Sequence, residues 1–278
     1  MALKKYRAQV LPLRQIAAVS VAFVALFPAF TVRAESGSLM TRTGKDIGLS
    51  LSSYDYQEPG IMSLQGLKMG LDLRVVKVLQ SDRFIRGDLR YAFGTVDYSS
   101  YDTGSASGEP DWYIEARGLI GKDLAVRESV ISAYMGLGYR YLFNDGRGIT
   151  STGYGGYRRE SNYFYLPLGL IHRRSLHGRA MLETELEYDQ LLAGKQVSGL
   201  SDVGGGYSDV TNNQSSGYGL RLSVMYRKSS WIVGPFLTYW NIGESDAAVV
   251  YRYGVPDSLG VEPKNDTVEL GVKASQQF

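Results

Sequence analysis

The feature that most constrains this chain is an alternation of apolar and polar residues, repeated in ten stretches between Asp46 and Phe278. Successive side chains point to opposite faces only in a strand, so a period of two predicts strands with one apolar and one polar face. The stretches are residues 46–56, 64–79, 84–98, 112–124, 130–143, 162–172, 179–191, 217–227, 231–240 and 266–278. In the second, Leu67, Met69, Leu71, Leu73 and Val75 share one face, and Lys68, Gly70, Asp72 and Arg74 the other. The seventh sets Leu182, Thr184, Leu186 and Tyr188 against Glu183, Glu185, Glu187 and Asp189. After Ala34 there is almost no helical periodicity.

Three properties separate this pattern from a soluble β-sandwich, which also alternates. The stretches are longer than the usual run of about five to six residues. Their apolar faces are nearly unbroken, while the opposite faces carry charges of both signs. Aromatic residues sit at their ends, namely Trp112, Tyr141, Trp231, Tyr239 and Trp240, where interfacial girdles stand in membrane barrels. The connections alternate in length as well. Residues 80–83, 125–129, 173–178 and 228–230 are short turns, whereas 99–111, 144–161 and 192–216 are long and rich in Gly, Ser, Asp and Asn; of the opposite-side connections only 57–63 is short. Short turns at one end and long loops at the other, with an even number of strands, predict an all-β, closed, antiparallel transmembrane β-barrel of about ten strands. Twelve strands follow if residues 247–253, with Val249 and Tyr251, form a further hairpin arm in the wall. Both termini then lie on the short-turn, periplasmic side.

The first residues predict export. Lys4, Lys5, Arg7 and Arg14 form a positive region, an apolar run follows from Ile16 to Phe30, and Val32-Arg33-Ala34 ends it with small residues flanking a cut. This is the pattern of a secretory signal peptide over residues 1–34, cleaved after Ala34, leaving residues 35–278 as the barrel domain. The apolar run is shorter than the ~20 residues a spanning helix needs. The chain has no cysteine, which excludes a disulfide framework, a thiolate metal site and a Cys nucleophile. Its formal net charge of +2 argues against nucleic acid as a partner, since phosphate neutralisation needs a clustered positive excess. The 33 Gly and 21 Tyr beside only eight Pro suit many strands, aromatic girdles and Gly-rich loops.

With a signal peptide, ten alternating segments and a terminal Phe278, the chain resembles the outer-membrane β-barrel (porin-like) families of diderm, Gram-negative bacteria. The last strand, Val268-Glu269-Leu270-Gly271-Val272-Lys273-Ala274-Ser275-Gln276-Gln277-Phe278, resembles the C-terminal signal read by the barrel-assembly machinery, and departs from it at Gln276, where another aromatic is common. The resemblance implies residence in the outer membrane among its lipids and lipopolysaccharide. It supplies no catalytic or ligand-binding residues. The runs 161–167 and 262–266 look like signatures of a porin-like group, without a ligand attached to either.

No candidate catalytic constellation emerges, and no cofactor or metal is expected. The hydrolases known among such barrels generally need a His positioned by an acid. Here the two histidines, His172 and His177, fall at a short periplasmic connection, in a basic turn with Arg173 and Arg174, and a pair is too few ligands for zinc. The glycine runs 153–156 and 204–206 precede no helix and so build no phosphate cradle. The loop acids Asp202 and Asp209 match no calcium-loop spacing.

The most informative constellation is the carboxylate ladder Glu183, Glu185, Glu187 and Asp189. Alternate positions share a face, and a charge facing lipid at mid-bilayer costs up to ~2–4 kcal/mol, so the ladder points into the lumen. Stacked carboxylates repel unless cations stand near them. Arg221 on the next segment, and Lys68, Arg74, Arg86 and Arg90 on segments two and three across the barrel, are the candidate partners. Two functions follow. In one, an acidic wall faces a basic wall across a narrow conduit for small polar solutes. In the other, an ion-paired network plugs the lumen, and the extracellular loops bind lipopolysaccharide, host or protein partners. Ten strands lie near the filled end of the barrel series.

Overall fold

The structure, a computed structural model, describes residues 39–278. The expected signal peptide and its cut after Ala34 lie outside the described residues. The strands are β1 (Gly44–Glu58), β2 (Met62–Val78), β3 (Arg83–Ser100), β4 (Gly104–Val126), β5 (Ser129–Ile149), β6 (Gly155–Leu176), β7 (Ala180–Ser198), β8 (Val210–Gln214), β9 (Gly217–Lys228), β10 (Trp231–Ile242), β11 (Ala247–Arg252), β12 (Val255–Val261) and β13 (Asn265–Gln277). Ten of them, all but β8, β11 and β12, pair antiparallel with their neighbours in chain order, and β13 closes on β1 with Leu49 opposite Ala274 and Tyr54 opposite Glu269. Each of the ten stretches read from the sequence falls on one of these wall strands.

The alternation faces the opposite way from a water-soluble core. Leu49 and Leu67 are each 65% exposed on the outside, while Glu187 and Asp189 inside are 1% and 0% exposed. An outer surface of Leu, Ile, Val and Met around a charged interior suits a barrel whose solvent is lipid. The apolar belt is bounded above by outward aromatics. Tyr91, Phe93, Trp112, Tyr141 and Phe143 pack ring to ring, as do Tyr188, Tyr218 and Tyr239. Their hydroxyls point away from the belt: Tyr141 donates to Glu160 at 2.9 Å, Tyr239 to Asp266 at 2.6 Å and Tyr139 to Asn162 at 2.6 Å. An apolar ring with a polar tip directed at water marks the membrane interface. Trp240 is not part of this girdle. It faces inward, 2% exposed, against Tyr163 and Tyr165, because its neighbour Tyr239 takes the outward position.

Above the girdle the wall continues. The outward face there carries Asp55, Asp97, Asp145 and Asp266, so this part stands in water. Residues 104–111 and 155–161, expected as loop, are strand. Likewise β7 runs on past Leu191: a bulge shifts its register on β6 between Phe164 and Tyr165, turns Leu192 and Ala193 both outward, and lets Gln196 and Ser198 resume the inward face. The arm expected at residues 247–253 forms as β11, but it pairs with β12 in a separate two-stranded sheet, so the wall has ten strands rather than twelve. At the other end the turns are tight. Ser81 and Asp82 both adopt positive φ, 59° and 58°, the geometry of a two-residue hairpin. Lys45 and Phe278 exchange backbone hydrogen bonds at that end, which places the described start of the barrel beside its last residue.

Candidate functional site

The inward faces of neighbouring strands meet with opposite charges. Register places Arg74 opposite Asp88, Asp72 opposite Arg90, Asp88 opposite Arg117, Arg173 opposite Glu183 and Glu187 opposite Arg221. Cross-strand pairs of opposite sign stabilise a sheet locally. Other pairs then cross the lumen. Arg86 on β3 reaches Glu185 on β7 at 2.6 Å, Arg74 on β2 reaches the same carboxylate at 3.3 Å, and Arg117 on β4 reaches Glu187 at 2.5 Å. Arg221 holds Asp189 at 2.6 Å and Glu187 at 3.0 Å, and bridges to Glu115 on β4. Glu183 lies at the lower end of the ladder, between Arg173 at 2.6 Å and Arg227 at 3.0 Å.

Two tyrosines complete the network, and glycine lets them do so. Tyr134 lies over Gly169 and Tyr165 over Gly138, where a Cβ would come within 2.1 and 2.2 Å of the respective rings. So laid flat, Tyr134 donates toward Glu185 and Glu187, each at 2.6 Å, and Tyr165 toward Glu115. The space left among these groups is a cavity of about 120 Å³.

Of the five cations expected to meet the ladder, Arg74, Arg86 and Arg221 do so. Lys68 and Arg90 face the lumen but are paired with other carboxylates. Lys68 pairs with Asp111 and lies 4.2 Å from the Tyr54 ring, and Arg90 pairs with Asp72 at 2.9 Å and Glu269 at 2.7 Å. Arg117, Arg173, Arg227 and Glu269 were not assigned to the network from the sequence. Each occupies a polar position of an alternating strand, so parity was the available signal. Arg173 in particular was expected in the periplasmic turn, but parity turns it inward.

Above the network lies a second, larger space: a chamber of about 410 Å³ in the part of the wall beyond the girdle. Its lining includes Glu58 from the top of β1, Glu109 from β4, Arg159 from β6 and Glu262 from the segment after β12. Arg159 lies 3.7 Å from Glu58 and 5.2 Å from the centre of the Tyr157 ring, and Tyr56 donates to Glu58 at 3.0 Å. Glu262 is 7% exposed, and its Oε1 is without a hydrogen-bond partner among the described residues. Burial pushes its carboxyl up to about 7; Arg159 and a hydrogen bond with Tyr56 oppose that rise, and Glu58 adds to it. Nothing in the sequence distinguished this position beyond its place in the run 262–266.

No family model matches the sequence, and no curated protein matches it. Solved structures do. The outer membrane protease OmpT from Escherichia coli superposes with a TM-score of 0.57 at 10% identity, over 87% of this chain and 100% of that one. The fold is that of a bacterial outer-membrane β-barrel. Less similar are an outer membrane channel from Pseudomonas putida F1, with a TM-score of 0.41 at 13% identity over 88% of this chain and 100% of that one, and a major outer membrane protein from Thermus thermophilus, with 0.38 at 12% identity over 84% and 99%. At these identities the likeness is one of fold.

The remaining candidates take their places on the barrel. His172 is exposed on the outward side near the lower end of β6, and His177 lies in the turn that follows. Asp202 accepts from Arg158 on β6 at 2.7 Å, which ties the loop to the wall, and Asp209 accepts from Ser201 within the loop at 2.6 Å. Phe278 is 69% exposed, at the short-turn end beside Lys45.

Proposed function

We propose that this barrel is a closed pedestal in the outer membrane, with its termini in the periplasm, and that its working part is the outer chamber with the loops around it. The observation that carries this reading is the set of cross-lumen ion pairs from Arg74, Arg86 and Arg117 to Glu185 and Glu187. Buried pairs of this kind resist separation, because parting them leaves an uncompensated charge away from water. The cavity among them is about 120 Å³, below the ~300–1,000 Å³ of typical small-molecule sites, whereas the outer chamber, at about 410 Å³, falls within that range. The reading is of binding rather than catalysis, since both histidines lie at the opposite end from the chamber. A liposome-swelling assay tests it. Vesicles carrying the refolded protein should swell no faster in arabinose than empty vesicles; rapid swelling would instead support a solute conduit through the lumen.

A further inference from the structure

We infer that the outer chamber binds a small organic cation, an amine whose ammonium group meets Glu262 and whose apolar body lies against Tyr98, Tyr157 and Met62. The inference deepens the proposed function and rests on its placing of the working part in the chamber. Among the described residues, the charged groups of the lining are Glu58, Asp102, Glu109 and Glu262 against the single cation Arg159. An anion would therefore enter against the prevailing charge. A neutral apolar compound would leave the buried Glu262 Oε1 as it is, without a partner. No group of three or more carboxylates or histidines suited to a metal ion occurs among the described residues, so a hard divalent cation lacks its ligands. An ammonium group supplies what the oxygen lacks, as both donor and counter-charge.

The chamber already holds one cation in this manner. The Arg159 guanidinium lies over the Tyr157 ring and beside the Glu58 carboxylate. Carboxylate plus aromatic face is the general chemistry of organic-cation recognition. The groups facing Glu262 are Glu58 and Tyr56 from β1 and Arg159 from β6. Burial among them keeps the empty site protonated near neutrality, so an arriving ammonium displaces a proton. Alkylamines stay charged to about pH 10, as lysine does, so binding should tighten between pH 5.5 and 8.

Calorimetry on the refolded mature barrel tests this, with phenethylamine as the probe and 2-phenylethanol as its neutral counterpart. The amine should bind, and bind more tightly at pH 8 than at pH 5.5. The alcohol should bind at least about tenfold more weakly, the worth of a charge-assisted hydrogen bond. Glu262→Gln should abolish the difference between the two probes, while Asp209→Asn, outside the chamber, should preserve it. The shift of band position on heating in gel electrophoresis shows whether each variant is folded, and the two-probe comparison on the unaltered protein stands even if Glu262→Gln does not fold. Equal binding of amine and alcohol, no binding of either, or an unchanged preference in folded Glu262→Gln would overturn the inference. Vesicle swelling would overturn the closed-lumen reading separately and leave this measurement interpretable.

Discussion

The lumen is closed by the ten wall strands and the outer chamber by the tops of β1 to β7 together with β8, β11 and β12, and the two treat charge differently. In the lumen each carboxylate of the ladder has an arginine partner, and Glu187 has two within 3.0 Å. In the chamber Arg159 is shared among several carboxylates, and Glu262 keeps an unpartnered oxygen. The space differs in the same sense, about 120 Å³ against about 410 Å³. The lumen too keeps unpartnered atoms, Asp189 Oδ1 and Arg86 Nη1 among them, but its charges are bound to one another across the barrel and leave little room beside them for a ligand. A buried group left unsatisfied is carried at a cost in stability and is where a ligand gains most.

The largest effect should come from dismantling the lumen. Replacing Glu183, Glu185 and Glu187 by Gln and Asp189 by Asn keeps the alternation but removes the ladder partners of Arg74, Arg86, Arg117 and Arg221, leaving Asp88 to be shared by the first three and Glu115 to hold the fourth. Each broken buried pair costs on the order of 3–5 kcal/mol, less where water enters. The variant should unfold at a much lower urea concentration than the parent. An unchanged midpoint would mean that the ladder contributes nothing to the rigidity of the barrel. Next in size is Lys68→Met, which takes its ion-pair partner from the buried Asp111 and leaves it only Asn144 and the more distant Arg140; a loss of about 3 kcal/mol is expected in the same assay.

The chamber should respond with the opposite sign. The Glu262 carboxyl has an ordinary value of 4.5 in the unfolded chain and is held at about 7 in the folded protein. The folded state thus keeps a proton that the unfolded state gives up. Its contribution to stability therefore declines as pH rises from about 4.5 to about 7, by about 3 kcal/mol in all. Glu262→Gln should remove that slope and be more stable than the parent at pH 8, with little difference at pH 4.5. Equal slopes in parent and variant would show that Glu262 is not buried as described.

How much of this could be read from the sequence differs between the two regions for a physical reason. Within the membrane one face must be apolar and the other polar, so residues such as Leu186 and Glu187 announce their directions, and the lumen ladder was legible. Above the girdle both faces meet water, and the alternation no longer carries information. That is why β4 and β6 were expected to begin at about residues 112 and 162, although they begin at Gly104 and Gly155. The bulge at Leu192 and Ala193 hid the rest of β7 in the same way. Glu262 was out of reach altogether, since its burial depends on Tyr56, Glu58 and Arg159, which are brought to it from distant strands. Pairings inside the lumen were also hidden. Parity says that Lys68 and Arg90 point inward, but only the folded barrel shows that they meet Asp111, Asp72 and Glu269 instead of the ladder.

The smallest effect on stability is expected at Phe278. It is largely exposed and makes its hydrogen bonds to Lys45 through the backbone. Deleting it should leave the urea midpoint of refolded protein nearly unchanged while lowering the heat-modifiable fraction assembled in cells, as expected if the assembly machinery reads the terminal aromatic. Unchanged assembly would make the likeness of this end to the assembly signal superficial.

Planar-bilayer recording of the refolded protein tests the contrast between a sealed lumen and an open chamber most directly. With Arg86 and Arg117 bound across the lumen to Glu185 and Glu187, the unaltered barrel should show no steady conductance above that of the bare membrane. Stable, stepwise conductance with a reproducible ion selectivity, shifted toward anions when the ladder is neutralised, would contradict the account and make the lumen the working part.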